Sequence, residues 1–147
     1  MLFFDNDYRT VFGAASDPKV NMEPVGHFGG KTDAVDAAGN YAYVGQGQDL
    51  LILDITNPSS PVLMSMSMTK RLVGDIEISG NYACVANGDN GLSIIDISNP
   101  SSPTIKGYYA GSARYVSVSG NYAYVADLNG LMIIDISNSS SPVLKGS

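Results

Sequence analysis

Residues 80–103 read GNYACVANGDNGLSIIDISNPSSP, and the same pattern occurs twice more in the chain. The segments that begin at Gly39 and Gly120 share its opening Gly-Asn-Tyr-Ala, its apolar run ending in Asp-Ile, and its closing Ser-Ser-Pro. Self-similarity at a period of roughly 40 residues is the signature of a repeat architecture in which each copy forms one supersecondary unit. The chain is therefore predicted to contain three copies of one unit.

Each copy is predicted to form four short strands, because runs rich in Tyr, Val and Ile are separated by Gly, Asn, Asp, Ser and Pro. In the third copy the strands are predicted at 113–119, 122–126, 131–136 and from 143 onward. The Gly-Asn pair between the first two strands suits a tight hairpin. The Asn-Pro-Ser-Ser-Pro corner of the second copy stops strand pairing, because proline has no N–H to donate, and this places the corner before an outer strand.

The third strands, at 51–55, 92–97 and 131–136, are apolar at consecutive positions instead of alternating. Strands of this kind belong to a sheet that is covered on both faces. Four-stranded antiparallel sheets stacked face to face around an axis are the blades of a β-propeller. The predicted fold class is therefore all-β, with three propeller blades of four antiparallel strands.

The repeat resembles the LVIVD family, which is named for an apolar third strand that ends in Asp. The matching segments are Leu51-Ile52-Leu53-Asp54, Ser93-Ile94-Ile95-Asp96 and Met132-Ile133-Ile134-Asp135. The resemblance covers residues 25–147, in copies at about 25–65, 66–107 and 108–147, and it implies a prokaryotic propeller, often on or outside the cell surface, without implying a reaction. Ser139 replaces the first corner proline, and residues 1–24 form a separate segment with no repeat pattern.

Composition excludes several classes of function. The net charge of −6, with 8 Lys and Arg, disfavours binding to nucleic acid. No apolar run approaches the roughly 20 residues of a membrane helix, and no secretory signal is visible at the start of the chain. The single cysteine, Cys84, excludes an intramolecular disulfide. Because Tyr43 and Tyr124 occupy its position in the sister copies, Cys84 is predicted to be a core residue.

Three blades are too few for a closed propeller, which typically has 4 to 8. The sequence therefore predicts a homo-oligomer in which two chains pair head to tail into a six-bladed ring, each lending residues 24–28 as an outer strand to the partner's final blade. A fragment of a longer propeller, or halves that stack without closing, are the alternatives. The apolar residues within 1–24 are expected to pack on the propeller or across the partner.

The best candidate for a binding surface is the rim where loops collect, because recognition is commonly placed on loops of a rigid scaffold. The copies differ there in length and content. The candidate residues are Lys31, Asp33, Lys70, Arg71, Arg114 and Tyr115 from the connections between copies, with Asp49, Asp89, Asn90, Asp127 and Asn129 from the loops between second and third strands.

A second candidate region is the axial channel, to which Asp36, Glu77 and Ser117 of the first strands are predicted to point. Carboxylates around a narrow axis attract a cation, although a water-filled channel is the simpler interpretation. The repeated Asp54, Asp96 and Asp135 are interpreted as turn residues that accept backbone hydrogen bonds and not as metal ligands. No metal site and no cofactor are predicted.

The leading functional hypothesis is a non-catalytic binding or scaffold module whose rim contacts a protein or a carbohydrate. The competing hypothesis is an enzyme, a carboxylate-based hydrolase or lyase with its active site at the axial channel, since glycosidic chemistry needs two carboxyl groups. The single histidine, His27, lies in no hydrolase or zinc-protease motif. A purely structural surface repeat is the third hypothesis.

Overall fold

The computed structural model describes residues 32–69 and 71–147, which form twelve strands in three four-stranded antiparallel sheets. The first sheet contains β1 (Ala34–Ala38), β2 (Tyr41–Gln46), β3 (Asp49–Asp54) and β4 (Val62–Met68); the second contains β5 (Asp75–Ser79), β6 (Tyr82–Ala86), β7 (Leu92–Asp96) and β8 (Thr104–Tyr109); the third contains β9 (Tyr115–Ser119), β10 (Tyr122–Ala126), β11 (Leu131–Asp135) and β12 (Val143–Gly146). We name these sheets blade 1, blade 2 and blade 3. The prediction of four antiparallel strands per repeat is confirmed, and this described part contains no helix that could cross a membrane.

Strand ends differ from the predicted bounds for two physical reasons. The first strand of blade 3 begins at Tyr115 and not at residue 113, because Ala113 exchanges two backbone hydrogen bonds of 2.8 Å with Gly88 of blade 2. The third strands end at Asp54, Asp96 and Asp135, because each of these residues starts a turn. Ala113 thus belongs to the contact between blades instead of to a strand.

The Gly-Asn hairpins explain the most regular feature of the repeat. Gly39, Gly80 and Gly120 have φ angles of 58°, 56° and 57°, a left-handed conformation that glycine adopts without steric cost. The asparagine after each glycine uses its carbonyl to accept a hydrogen bond of 2.8–2.9 Å from the N–H that follows the third strand. The hairpin and the third strand of each blade are therefore tied together by a bond that every copy repeats.

The repeated aspartates are turn residues, as predicted. Their Oδ1 atoms accept the backbone N–H two residues later, at 2.8 Å for Asp54, 2.9 Å for Asp96 and 3.0 Å for Asp135. The side-chain hydroxyl of the Thr or Ser two residues on, followed by its backbone N–H, holds the pKa of each carboxyl below its usual value through hydrogen bonds. Lys106 and Lys145 add ion pairs at 3.3 Å to Asp96 and 3.4 Å to Asp135.

The hydrophobic core lies between the blades. Blade 1 packs on blade 2 through a face that carries Tyr43, Leu50 and Ile52, and we call this the forward face of a blade. Blade 2 meets it with the opposite face, which carries Ile76, Val85 and Ile95, and we call this the rear face. The same pairing recurs between the forward face of blade 2 and the rear face of blade 3. Each sheet is thus apolar on both faces because each can be sandwiched between two neighbours.

A separate buried cluster lies on the rear face of blade 1. It consists of Val44, Leu51 and Leu53, with Ala42 and Ile55 packed against it. No residue of another blade contributes to this cluster within residues 32–69 and 71–147. The rear face of blade 1 therefore differs from its two counterparts, which pack on a described neighbour.

The first strands of the blades converge on a common axis. Contacts between blades are concentrated at the pairs β1–β5 and β5–β9, while the outer strands of neighbouring blades diverge. Successive strands of a blade therefore run outward from the axis in chain order. This arrangement is the arc of a β-propeller.

Two different contacts hold the outer strands against the corner of the next blade. In blade 1 the hydroxyl of Ser65 donates a hydrogen bond of 2.6 Å to the carbonyl of Pro100. In blade 2 the equivalent residue is Gly107, and a Cβ built on it would lie 1.9 Å from the carbonyl oxygen of Ser139. The backbone of blade 3 thus approaches blade 2 too closely to allow a side chain.

We expect Gly107→Ala to lower the free energy of unfolding by about 1–3 kcal/mol, because the new methyl group must push the Ser139 carbonyl away. Ser65→Ala is the matched variant, since it removes a hydrogen bond worth about 0.5–1.5 kcal/mol without creating a clash. Urea unfolding of both variants measures the difference. Equal stability of Gly107→Ala and the wild type would contradict the close approach.

The turn aspartates predict loss of stability in acid. Because each carboxyl has a lower pKa in the folded chain than its usual 3.8, its ionisation stabilises the fold above that pH, and the stabilisation is lost as the pH falls through the folded pKa. The melting temperature of the double variant Asp96→Asn/Asp135→Asn should lie below that of the wild type at pH 6. The gap should close toward pH 2.5, and a gap independent of pH would refute this assignment.

Candidate functional site

The loop rim is the end of the propeller where the β2–β3 and β6–β7 loops meet the connections to the next blade. Antiparallel strands bring these segments to the same end, as the sequence predicted. The connections are also bonded to the loops: Val73 N–H donates to Gly47 O at 2.8 Å, and Ala113 pairs with Gly88 in the equivalent way. Backbone hydrogen bonds therefore join each of these loops to a neighbouring connection at the rim.

A cavity of about 450 Å³ opens at this rim. It is lined by loops from blade 1 and blade 2 and by both connections between blades, through Gln48, Arg71, Leu72, Asn87, Gly88, Asp89, Ser112 and Arg114. A smaller cavity of about 250 Å³ shares Leu72, Gly88 and Arg114 with it and extends the concave surface to Tyr115. We call the two together the rim pocket.

A buried polar network fixes the shape of the rim pocket. Asn87, Thr69 and Ser93 are almost inaccessible to solvent. Asn87 donates from Nδ2 to Thr69 Oγ1 at 3.1 Å and to the Arg71 carbonyl at 3.4 Å, and its Oδ1 accepts from Ser93 Oγ at 2.7 Å. Polar groups that are buried this deeply are retained when their hydrogen bonds are satisfied, and here they hold one another.

Thr69 links this network to the backbone of Arg71, which lies in the connection between blades 1 and 2. Its Oγ1 lies 2.7 Å from the Arg71 carbonyl and 2.9 Å from the Gln48 carbonyl, so its single proton serves one acceptor at a time. Its backbone N–H donates to the Gln48 carbonyl at 2.7 Å. The backbone of Arg71 is therefore clamped from beneath while its side chain is exposed at the pocket.

The charged groups of the rim pocket are Arg71, Arg114 and Asp89, and all three are exposed. Among the residues that the structure describes, neither arginine takes part in an ion pair, whereas Lys106 and Lys145 do. A guanidinium without an internal partner keeps its planar set of donors for a ligand. The pocket thus presents two available cations and one carboxylate in a protein whose net charge is negative.

Three predicted rim residues line the main cavity and one lines its extension. Arg71, Asp89 and Arg114 surround the larger cavity, and Tyr115 lies at the smaller one. Asp33 precedes β1 and donates its backbone N–H to Gly45 O at 3.0 Å. Lys31 and Lys70 lie outside the described residues.

The other predicted rim residues lie in the hairpins between the second and third strands of the blades. Asp127 accepts the backbone N–H groups of Asn129 and Gly130 at 2.6 and 2.9 Å, which closes the β10–β11 turn. Asp49 begins β3 and pairs with Gln46 across the hairpin. Asn90 lies in the β6–β7 turn, where its Nδ2 is buried and has no partner among the described residues. These residues lie on the rim without lining the pocket.

The predicted channel residues lie on the forward faces of the first strands. Asp36, Glu77 and Ser117 are paired across the hairpin with the residues at positions 43, 84 and 124. Asp36 accepts its own neighbour Ala37 N–H and the Ile78 N–H of blade 2, both at 2.7 Å. Its carboxylate therefore bonds two adjacent inner strands to each other.

Asp75, on the inner strand β5, was not among the residues predicted from the sequence to be functional. Asp75 Oδ2 accepts the Val116 N–H of blade 3 at 2.9 Å, so it performs between blades 2 and 3 the task that Asp36 performs between blades 1 and 2. The sequence does distinguish Asp75, because the other copies have no carboxylate at its position but Ala34 and Tyr115. Ser93 of the buried network was missed in the same way, since its counterparts Leu51 and Met132 are apolar.

Cys84 is a core residue, as predicted. Its side chain is inaccessible to solvent on the forward face of blade 2. Burial, with a smaller contribution from the Glu77 carboxylate, raises the pKa of its thiol to about 12. The described residues contain no group of three or more His, Cys, Asp or Glu side chains arranged to hold a metal ion.

The fold and the rim define a β-propeller arc, and the comparisons with known proteins agree with that class. The LVIVD repeat model matches residues 29–69, 70–110 and 110–147, so the chain belongs to the LVIVD repeat family. No curated protein matches the chain.

Two solved structures share the fold. The computationally designed Ika4 protein superposes with a TM-score of 0.66 at 13% identity, over 87% of this chain and 79% of that one. The computationally designed Ika8 protein gives a TM-score of 0.62, also at 13% identity, over 78% of this chain and 35% of that one. At this identity the likeness concerns the fold alone.

The two asparagines of the β6–β7 turn provide a test of the buried network. Asn87→Ala should lower the free energy of unfolding by about 1–3 kcal/mol, because Thr69 and Ser93 lose their buried partner. Asn90→Ala should change it little, because the Nδ2 group that it removes has no partner among the described residues. Chemical denaturation of the two variants measures the difference, and similar losses for both would contradict the role of the network.

Proposed function

We propose that this protein is a non-catalytic binding or scaffold module that contacts a protein or carbohydrate partner through the rim pocket. The observation that carries the proposal is the meeting of Arg71, Asp89 and Arg114, from three separate segments, around one cavity of about 450 Å³. That volume lies within the range of roughly 300–1,000 Å³ that is typical of ligand sites.

The rim pocket also has the chemistry of a recognition surface. Arginine and tyrosine are enriched among the residues that contribute most to binding energy at interfaces. Arg71 and Arg114 offer planar donors, and Gln48 and Asp89 offer acceptors for hydroxyl or amide groups. The exposed side chains of Leu72 and Tyr115 add apolar surface to the same concavity. Such a mixture suits a polar partner with an apolar face.

Rigidity supports the same proposal. Binding costs less free energy when the groups that contact a partner are already held in place. The Asn87 network clamps the backbone of Arg71, and the N–H of Arg114 is bonded to Ala126 O at 2.9 Å. The two arginines therefore project from backbones that are fixed by the fold.

The enzyme hypothesis has no specific observation in its favour. Both carboxylate oxygens of Asp36 accept backbone hydrogen bonds, and both oxygens of Asp75 do the same. These acids connect the inner strands. The structural-repeat hypothesis predicts that no partner binds at the rim, so the experiment that follows separates it from the proposal.

The test compares two double variants that each remove two positive charges. Arg71→Ala/Arg114→Ala alters the rim pocket, and Lys106→Ala/Lys145→Ala alters the outer strands, where the lysines pair with Asp96 and Asp135. The full-length protein is applied to arrays of neutral and acidic oligosaccharides and of peptides. We expect the rim variant to lose roughly tenfold or more in affinity and the lysine variant to bind like the wild type.

Two results would contradict the proposal. Equal loss of binding in both double variants would show that net charge, and not the rim pocket, determines binding. No binding of the wild-type protein to either array would favour the structural-repeat hypothesis. Asp36→Asn/Glu77→Gln serves as the channel control and should leave binding unchanged.

A further inference from the structure

The two arginines of the rim pocket occupy positions that the repeat does not require to be basic. Arg71 corresponds to Gly111 of the third copy, and Arg114 corresponds to Gly74 of the second. They come from different positions of different repeats, yet both line one cavity. Their connections lie close together, because a Cβ built on Gly74 would be 3.2 Å from the Arg114 carbonyl oxygen. The stacking of the blades thus brings together two arginines that the repeat itself does not pair.

The charged side chains of the rim pocket have no internal partner. Within residues 32–69 and 71–147, the side chains of Arg71, Asp89 and Arg114 make no hydrogen bond or ion pair. Two other carboxylates at this end of the blades, Asp75 and Asp127, accept backbone N–H groups instead. Two guanidinium groups and one carboxylate leave the pocket with one positive charge in a chain whose net charge is −6. The pocket therefore matches a ligand with a single negative charge.

The polar side chains of the rim pocket distinguish between kinds of anion. Arginine binds carboxylates and phosphates alike through two parallel N–H donors. Asp89 lies at the same cavity and repels a phosphate group, with a charge of roughly −1.5 to −2, more strongly than a singly charged carboxylate. Asp89 and Gln48 also accept hydrogen bonds from hydroxyl groups. These side chains together suit a carboxylate that is surrounded by hydroxyl groups.

The backbone around the rim pocket is already paired. Five N–H groups at the pocket are bonded to carbonyls of the chain at 2.8 or 2.9 Å, those of Val73, Gly74, Gly88, Ala113 and Arg114. None of the residues that line the larger cavity belongs to a strand. A peptide that adds a strand to a sheet depends on unpaired main-chain groups. Recognition at this pocket depends on side chains, which favours a ligand rich in hydroxyl groups over an extended peptide.

The rim pocket also offers an apolar surface beside its charges. Leu72 is 63% exposed and Tyr115 is 65% exposed, and both line the smaller cavity together with Arg114. The C–H groups of a pyranose ring pack on aromatic and aliphatic side chains, while its hydroxyl and carboxyl groups lie at the edge of the ring. The ring and the carboxylate of one sugar are thus contacted by neighbouring parts of the same concavity.

We infer that the rim pocket binds a hexuronic acid, with its carboxylate between Arg71 and Arg114, its hydroxyl groups at Asp89 and Gln48, and its ring against Tyr115. This inference rests on the proposed function, because it names the ligand class of the same pocket, an acidic carbohydrate. The described pocket belongs to one chain. The inference depends neither on the homo-oligomer predicted from the sequence nor on residues 1–28, which lie outside the described part of the chain.

The test uses three ligands that differ only at the charged group. They are a disaccharide of glucuronic acid and glucose, the methyl ester of that disaccharide, and the corresponding disaccharide of two glucose units. Isothermal titration calorimetry measures their affinities for the full-length protein. The wild type should bind the acid roughly tenfold or more tightly than either neutral ligand, because only the acid engages the arginines through charge-assisted hydrogen bonds.

Single variants separate the contact with the charge from the contact with the ring. Arg71→Ala and Arg114→Ala should each weaken binding of the acid roughly tenfold and change binding of the ester little. Tyr115→Ala should weaken binding of both ligands by the same factor, because both carry the ring. All three side chains are exposed, so circular dichroism should show folded variants. Lys106→Ala/Lys145→Ala is the matched control and should bind all ligands like the wild type.

Asp89 provides a test of selectivity between anions. The wild type should bind glucuronic acid more tightly than glucose 6-phosphate, and Asp89→Asn should reduce this preference because the repulsion of the phosphate is removed. A wild type that prefers the phosphate would overturn the choice of a carboxylate.

The possible failures of this inference and of the proposed function give different results. Equal affinity of the wild type for the acid and its methyl ester would overturn the uronic acid, and loss of both on removal of the arginines would leave the proposed function standing. Tighter binding of a blocked peptide with a single glutamate would have the same meaning. Unchanged binding of the acid by Arg71→Ala/Arg114→Ala would overturn both proposals, because the ligand would then bind elsewhere.

Discussion

The whole structure depends on one interaction, the packing of the apolar forward face of one blade on the rear face of the next. A four-stranded sheet that is apolar at consecutive positions cannot be satisfied by a single neighbour, so each blade needs one blade in front and one behind. Blade 2 is the one blade whose two described neighbours meet this need, and both of its faces hold fully buried side chains, Leu92 on the forward face and Ile95 on the rear face. Turns, corners and rim contacts all serve to keep this face-to-face stacking in register.

Polar groups refine the stacking at both ends of the blades. Near the axis, Asp36 and Asp75 each accept one backbone N–H from the inner strand of the next blade. These inner strands are the edges of their sheets, so the N–H groups have no partner strand. At the rim, the Asn87 network replaces apolar packing with a set of mutually satisfied hydrogen bonds. Both sets of polar residues occupy positions where the copies differ in sequence. The two contacts between blades therefore share the same apolar packing but have different polar contacts.

The repeat itself could be read from the sequence because its signals are local. The Gly-Asn hairpin and the Asp-centred turn each depend on a few adjacent residues, and the apolar third strand needs a cover on both sides whatever provides it. The choice of Arg71 and Arg114 as rim residues followed from chain order alone. The pairing of Ala113 with Gly88 could not be predicted, because it joins residues of different blades whose distance is set by the stacking. Asp75 and Ser93 were missed because their roles depend on partners in a neighbouring blade or loop.

The corners show that similar repeats need not be interchangeable. Blade 1 meets its neighbour through the Ser65 hydroxyl, which reaches the Pro100 carbonyl, whereas blade 2 meets its neighbour through bare backbone at Gly107, against which the Ser139 carbonyl lies. A blade carrying the serine would collide at the second junction, and one carrying the glycine would leave a gap at the first. The outer strands of the three copies therefore favour one order of the blades. If the blades were rearranged, a serine placed at the position of Gly107 would clash with the carbonyl of Ser139.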